Sequence, residues 1–385
     1  MNGWQTATLG EVCRLITDGK HGDCTNEEDS GYYFISAKDI RDGVINYENA
    51  RQITESDFAE THRRTDLQSG DLLVTNSGTI GRLAIAKYNT KTLKTTFQKS
   101  VAILKPKPCE ISSKFLYYYL AANMKEFIHP AAGAAQKNLL LRDIKAFRIN
   151  KPSLREQDNI SDILSAYDNL IENNRRRIAL LEEAARLLYR EWFVHFRFPG
   201  HERLKIVDGV PEGWVRRELG ELAKISKGRN ITKSSVEDGD VPVVAGGLKP
   251  AYYHNASNAK SPVVTVSASG ANAGHVALYL KDIWASDCSY ITIDENPHVW
   301  FWYLTLKCRQ AEVTSMQQGA AQPHVYPKHL RRIQIKMPPL GLLQEFQEIV
   351  GRFFALVGNL RVQSDGLAAA RDLLLPRLMN GEIAV

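Results

Sequence analysis

Glycine-rich loops bearing amide, hydroxyl and basic side chains recur along this 385-residue chain. In the first half they hold Lys20 and His21, Asn76-Ser77-Gly78-Thr79, Gln98-Lys99 and Gln136-Lys137-Asn138. In the second half they hold Arg229 and Asn230, Ser267, Ser269 and Asn272, and Gln322 with His324. Amide and guanidinium groups can grip two atoms of a base edge at once. Glycine lets a backbone approach a phosphate closely, and Lys or Arg neutralises it. The chemistry on offer is polar recognition rather than bond making. Each loop also has a plainer reading, because Gly, Ser and Asn are what tight turns require.

Motifs for bond-making chemistry are missing. Gly270-Ala271-Asn272-Ala273-Gly274 and Gly78-Thr79-Ile80-Gly81 come nearest to a nucleotide-cradling loop, and neither has its spacing. The N/D-P-P-Y/F string of amino-group methyltransferases is absent, and Asn296-Pro297-His298 reads as a helix start. The ten His and five Cys show no metal-ligand spacing. His21, His254 and His324 are expected in loops as hydrogen-bonding groups. No catalytic residue and no metal site is expected, and no cofactor is expected to bind this chain. The cysteines read as reduced thiols of a cytoplasmic protein. A net charge of +6 suits a nucleic-acid partner without requiring one. No run has membrane-span length, so no membrane association is expected.

Two long helices must position these loops. Residues 155–198 are free of Pro until Pro199, and Ile160, Tyr167, Asn174, Leu181 and Leu188 recur every seventh residue. Ile163, Leu170, Ile178, Ala185 and Trp192 fill the alternate positions, which gives a coiled-coil-like stripe. A second stripe closes the chain: Phe346, Phe353, Leu360, Leu367 and Leu374, with Ile349, Leu356 and Ala370 between. The rest is duplicated. Trp4 followed by Leu9-Gly10-Glu11 returns as Trp214 followed by Leu219-Gly220-Glu221. Gly133-Ala134-Ala135-Gln136 returns as Gly319-Ala320-Ala321-Gln322, and Ile149, Pro152 and Leu154 match Ile335, Pro338 and Leu340. Short strands are predicted at 32–37, 71–75, 83–87 and 100–104, and at 241–245, 262–267, 275–279 and 290–293. An aromatic helix follows in each copy, at 113–127 and 298–310.

The order domain, helix, domain, helix, the Trp-x4-Leu-Gly-Glu openings and the Gly-x-x-Gln loops resemble the specificity subunit of type I restriction–modification systems. Two strings carry the likeness furthest: Asn173-Asn174 through Arg190-Glu191-Trp192-Phe193, and Leu373-Leu374-Leu375-Pro376-Arg377-Leu378-Met379-Asn380-Gly381-Glu382-Ile383. Leu342-Leu343-Gln344 departs from the first copy's Arg155-Glu156-Gln157 and predicts a helix entry shifted by about one residue. The resemblance implies an α+β fold: two tandem strand-rich target recognition domains separated by two long antiparallel coiled-coil-like helices. The divisions are 1–153, 154–198, a linker 199–213, 214–339, and 340–385. It implies that each domain reads one half of a split, asymmetric site in double-stranded DNA. Two methyltransferase subunits would dock on the frame and direct N6-adenine methylation. Two motor-nuclease subunits would add ATP-dependent restriction. S-adenosylmethionine, ATP and Mg2+ would belong to those partners.

On the helices, Asn174 is expected as a buried polar residue that sets register. Leu164, Ile171, Leu180, Leu187, Phe354 and Val357 lie beyond one stripe and are expected, with Asn174, to meet partner helices. Arg175-Arg176-Arg177 suits DNA phosphates, an acidic partner or plain solvent. Tyr117-Tyr118-Tyr119 and Trp300-Phe301-Trp302 read as core, with stacking on flipped bases as the alternative. Other readings of the whole chain are a structural adaptor whose duplicated domains bind proteins or glycans, and an orphan specificity subunit that retargets a neighbouring system.

Overall fold

The computed structural model describes residues 3–133, 138–319 and 322–385. Compact packing groups the chain into two units: residues 1–172 with 365–385, and residues 173–364. Each unit is therefore built from a domain plus parts of both long helices.

Unit 1 is organised by a four-stranded antiparallel sheet in the order Cys13–Asp18, Val101–Pro106, Leu72–Thr75, Leu83–Ile85. Side chains alternate across a strand. Leu72, Val74, Ala102 and Leu104 accordingly join the core under the helix Ser113–Ala122, while Leu73, Val101 and Ile103 join a second cluster with Ile35 and Phe97. Both faces are covered, which is why these strands read as unbroken apolar runs. Tyr33–Ile35 pairs in parallel with Thr95–Phe97, and Gln5–Thr8 pairs antiparallel with Arg148–Lys151.

Unit 2 repeats this plan. Its sheet runs Ser226–Lys227, Cys288–Thr292, Val263–Ser267, Val276–Tyr279. Val241–Val244 pairs in parallel with Trp284–Ala285, and Val215–Glu218 pairs antiparallel with Gln334–Met337. The duplication seen in sequence is thus a duplication of strand order. Several strands are shorter than predicted, because the terminal residues turn away before pairing: Tyr33–Ile35, Leu72–Thr75 and Leu83–Ile85, for example. His254, expected in a loop, ends the strand Tyr252–His254 and is buried.

The aromatic helices are core. Tyr118, Tyr119, Phe301 and Trp302 are buried, which removes them as stacking platforms for bases. In unit 2, Phe193 and Phe346 meet edge to face at 4.7 Å, beside Trp192 and Phe301. Each such pair adds about 0.5–1.5 kcal/mol to the area it buries.

The long helices span Leu154–Tyr189, continued by a π-helical turn Arg190–Val194, and Leu340–Met379. Their buried stripes differ from the heptad reading. Ile163 and Leu170 are 36% and 49% exposed, while Gln157, Ile160, Ser161 and Leu164 are buried. On the second helix Leu343, Phe346, Val350, Phe354, Val357 and Leu360 are buried, and Leu356 is exposed. The reason is that each part of a helix packs into the core of the unit it lies in, which turns its face away from a two-stranded seam. Leu164, Phe354 and Val357, expected to meet partners, consequently lie in the chain's own cores. Leu180 and Leu187 are exposed, and Ile171 is half-buried.

The expected shift of the second helix entry is absent. Both helices start two residues after the first Pro of the entry, Pro152 and Pro338. What differs is the linking amide. Gln157 accepts from Ser112 N at 2.8 Å and donates to Pro152 O at 3.0 Å. In unit 2 a buried leucine, Leu343, occupies that place. There Gln347, one turn on, accepts from Phe301 N and donates to Pro297 O.

Polar contacts tie the helices within each unit. In unit 1, Asp168 receives Tyr118 Oη and Arg371 Nη1, both at 2.6 Å. In unit 2, buried Asn174 donates to Gln363 Oε1 at 3.0 Å and Ser364 Oγ at 3.3 Å, and Arg361 donates to Glu182 at 2.8 Å. Asn174 meets Gln363 while the later Glu182 meets the earlier Arg361, so the two helices run antiparallel within unit 2. Among the described residues no helix is long and apolar enough to cross a membrane.

Candidate nucleic-acid interface

In each unit the antiparallel sheet ends in a cluster of loops, and most of the polar residues singled out from sequence lie on them. Strands that neighbour each other antiparallel deliver one strand's end and the next strand's start to the same edge. In unit 1 that edge gathers residues 19–21, 76–79, 98–100 and 138.

Backbone hydrogen bonds lock these segments together. Lys20 N donates to Phe97 O at 2.8 Å, and Lys99 N donates back to Lys20 O at 3.0 Å. Asn76 N donates to Ser100 O at 3.0 Å, Leu139 N donates to Asn76 O at 2.8 Å, and Ser77 bridges to Asn138. Unit 2 repeats the weave with other residues. Arg229 N donates to Ala285 O at 2.9 Å, Ala268 N to Asp287 O at 3.1 Å, and Ser269 bridges to His324.

Two glycines make the weave possible. A Cβ on Gly19 would lie 2.0 Å from Phe97 O, and one on Gly228 would lie 2.0 Å from Ser286 O. Only a residue without Cβ lets the first loop lie this close to the neighbouring one. At the loop tips Gly78 and Gly270 have φ of +72° and +77°, the left-handed region that glycine adopts without strain.

The side chains divide into two groups. His21, Thr79, Lys99, Arg229, Asn230 and Gln322 are exposed, as is the backbone of Gly78. Ser77, Gln98, Asn138, Ser269, Asn272 and His324 are half-buried at the same edges. Arg229 lies over the Trp284 ring at 5.9 Å, and the His324 ring stacks on Tyr326 at 5.6 Å. Both arrangements hold a polar group at the surface with little remaining freedom.

Three expected contact residues turn inward instead. Lys20 Nζ is held by Asp57 at 3.3 Å and Glu60 at 3.2 Å, so its charge is spent inside the unit. The Glu60 carboxylate in particular raises the Lys20 pKa. Asn76 is buried, and the cluster uses its backbone rather than its amide. Ser267 is buried with its hydroxyl donating to Gly246 O at 3.2 Å. Gln136 and Lys137 lie outside the described residues.

Two features had escaped sequence reasoning. The helix Glu55–Thr65, which supplies Asp57 and Glu60, belongs to a stretch that the second copy lacks. Its signals were present: Thr54 caps the N-terminus, acids fill the first turn, and His62, Arg63 and Arg64 fill the last. The other is Asp287. Its hydrogen bond from Ser269 Oγ lies in the middle of the unit 2 cluster, and no local pattern marks it.

Among the described residues no group of three or more His, Cys, Asp and Glu side chains could hold a metal. The arrangement offers two surfaces of like backbone and unlike side chains, both rich in donors and acceptors.

Comparison with known proteins gives these loops a context. A family model described as the type I restriction modification DNA specificity domain matches residues 1–183 and 211–362. The type I restriction enzyme MjaIX specificity subunit of Methanocaldococcus jannaschii is 27% identical, over 91% of this chain and 87% of that protein. The type I restriction enzyme HindI specificity subunit of Haemophilus influenzae is 23% identical, over 73% of this chain and 80% of that protein. The crystal structure of the S subunit of a type I restriction-modification system from M. genitalium shares the fold. Its TM-score is 0.64 at 17% identity, covering 98% of this chain and 97% of that one.

Proposed function

The chain belongs to the type I restriction modification DNA specificity family, and on that footing we propose that it selects the DNA sequence for a type I restriction–modification complex. Each unit reads one half of a split site through the loops at its sheet edge. The observation that carries this reading is one backbone weave built twice and finished with different side chains. A shared frame explains how both units approach a duplex alike. Unlike side chains explain two unlike half-sites, whereas a symmetric reader would require a palindrome.

Phosphate contacts position a protein on DNA, and base contacts specify the sequence. Lys99 and Arg229 suit the first task through charge or the second through bidentate grip on guanine. Gln98, Asn138, Asn230 and Gln322 offer amides for base edges. The long helices, of 36 and 40 residues, would extend about 54 and 60 Å. Half-sites one turn apart on B-DNA are separated by about 34 Å, so helices of this length suit a spacer between readers. Exposed Leu180 and Leu187 offer apolar docking points for the two methyltransferase subunits. N6-adenine methylation, with S-adenosylmethionine, falls to those partners. ATP- and Mg2+-dependent restriction falls to motor-nuclease subunits. The assembly would work in the cytoplasm, where its DNA is.

The test is modified-base sequencing of DNA from cells expressing the chain with its methyltransferase subunit. A split, asymmetric N6-methyladenine motif that disappears when the chain is omitted is expected. Exchanging residues 1–150 for those of a relative should change one half of the motif and leave the other. An assembled complex that methylates without any such motif overturns the reading.

A further inference from the structure

The unit 2 cluster contains a carboxylate where its counterpart in unit 1 has none. Asp287 O accepts from Ala268 N, as Ser100 O accepts from Asn76 N, so Asp287 and Ser100 occupy the same station in the two weaves. Beside Ser100 stands Lys99, exposed and basic. Two frames of the same plan therefore carry opposite charges within one residue of each other. Asp287 is also fixed in place. Its backbone is held by Ala268 and one carboxylate oxygen takes the Ser269 hydroxyl. Ser286, just before it, is anchored through N to Val244 O at 2.8 Å and through Oγ to Ile231 N at 3.4 Å. Among the described residues no cation pairs with Asp287, and its second oxygen takes no hydrogen bond.

A carboxylate facing a duplex is repelled by phosphates unless a donor on the DNA meets it. In the major groove the base edges supply that donor in two forms. Adenine offers its amino group next to the N7 acceptor, which repels an acceptor-only carboxylate. Cytosine offers an amino group flanked by one acceptor, the O6 of its paired guanine, whereas the adenine amino group lies between N7 and thymine O4. Resting on the reading that unit 2 binds a half-site, we infer that Asp287 is a base-contacting specificity residue, accepting a hydrogen bond from the amino group of one cytosine in that half-site. Ser269 is its positioning residue, holding one oxygen and leaving the other to accept from the base.

The experiment expresses the chain with its methyltransferase subunit and sequences modified bases for wild type, Asp287→Asn and Ser269→Ala. The unit 2 half-site is the half unchanged when residues 1–150 are exchanged. Asp287→Asn keeps the size and, with Oδ1 on Ser269, turns an amide donor outward, which fits a groove acceptor such as guanine O6 or thymine O4 and not the cytosine amino group. It should widen one cytosine position of the unit 2 half-site to accept bases that present an acceptor there. Methylation at the original sites should fall about 10- to 100-fold, with the unit 1 half unchanged. Ser269→Ala should slow methylation without altering the motif. Melting curves that match wild type show that the variants fold. Three results overturn the inference: an unchanged motif in folded Asp287→Asn, a widened position in the other half, or a wild-type unit 2 half-site without cytosine on either strand. A wild-type complex with no split motif at all overturns instead the function on which the inference rests.

Discussion

Replacing Gly228 by alanine should disable unit 2 as a reader while leaving the unit folded. The new Cβ would stand 2.0 Å from Ser286 O, and both are backbone-borne, so no side chain can swing aside. Carbon–oxygen contacts settle at about 3.3 Å or more, so the two loops must part by about 1.3 Å. That separation stretches the Gly228 N to Cys288 O and Arg229 N to Ala285 O bonds, now 2.8 and 2.9 Å, beyond useful length. Two backbone hydrogen bonds at about 1 kcal/mol each make a tolerable cost for a folded unit. Recognition is less forgiving. Arg229, Asn230 and Asp287 all ride on the two displaced segments, and a shift of that size takes any base contact out of hydrogen-bond range. Each good contact discriminates by about 1–3 kcal/mol, so losing even one weakens specific DNA binding about 5- to 150-fold. The assay is salt-controlled DNA binding and methylation by the complex, with thermal melting alongside. Gly19→Ala should do the same to unit 1, since its Cβ would stand equally close to Phe97 O. A folded Gly228→Ala complex that methylates the wild-type motif at the wild-type rate would refute the idea that this close approach positions the reading loops.

Other outcomes follow from the cores. Lys105 Nζ meets Asp71 Oδ2 at 2.5 Å with both side chains buried, and burial pushes the Asp71 carboxyl up; Lys105→Met should leave that carboxyl unpaired and cost about 3–5 kcal/mol, read as a lower unfolding midpoint. His275 and His298 of unit 2 are held below the usual imidazole range by burial, with Lys307 adding to the effect on His275. Their neutral forms are the ones folded, so the stability they contribute is fully present above pH of about 6.5 and is lost as pH falls through the folded values. Melting between pH 7.5 and 5 should show a loss that His298→Gln reduces. Gly366 is exposed inside the second long helix with nothing within 4 Å of an added Cβ; Gly366→Ala should raise stability by about 0.5–1 kcal/mol, visible in urea unfolding.

Patterns that live within a few residues were readable from sequence alone: the two long helices, the duplicated openings at Trp4 and Trp214, the apolar strands, and Gly-rich loops rich in donors and acceptors. Local composition decides such features, because a strand buried on both faces must be apolar throughout and a tight turn must have glycine. Burial of Asn174 was also readable, since it interrupts an apolar stripe.

Long-range packing decided the rest. The heptad stripe placed Ile163 and Leu170 inward, but the helix turns toward its own unit's sheet, so Gln157 and Leu164 are buried instead. Lys20 looked like a phosphate ligand until the helix Glu55–Thr65 brought Asp57 and Glu60 against it. Asp287 carried no signal, because its place opposite Ser269 exists only once strands distant in sequence pair into one sheet. Sequence determined which side chains the loops could offer. Only the antiparallel pairing of their strands, which brings loop ends far apart in sequence to one edge, decided which of them meet, which are neutralised within the protein and which remain at the surface.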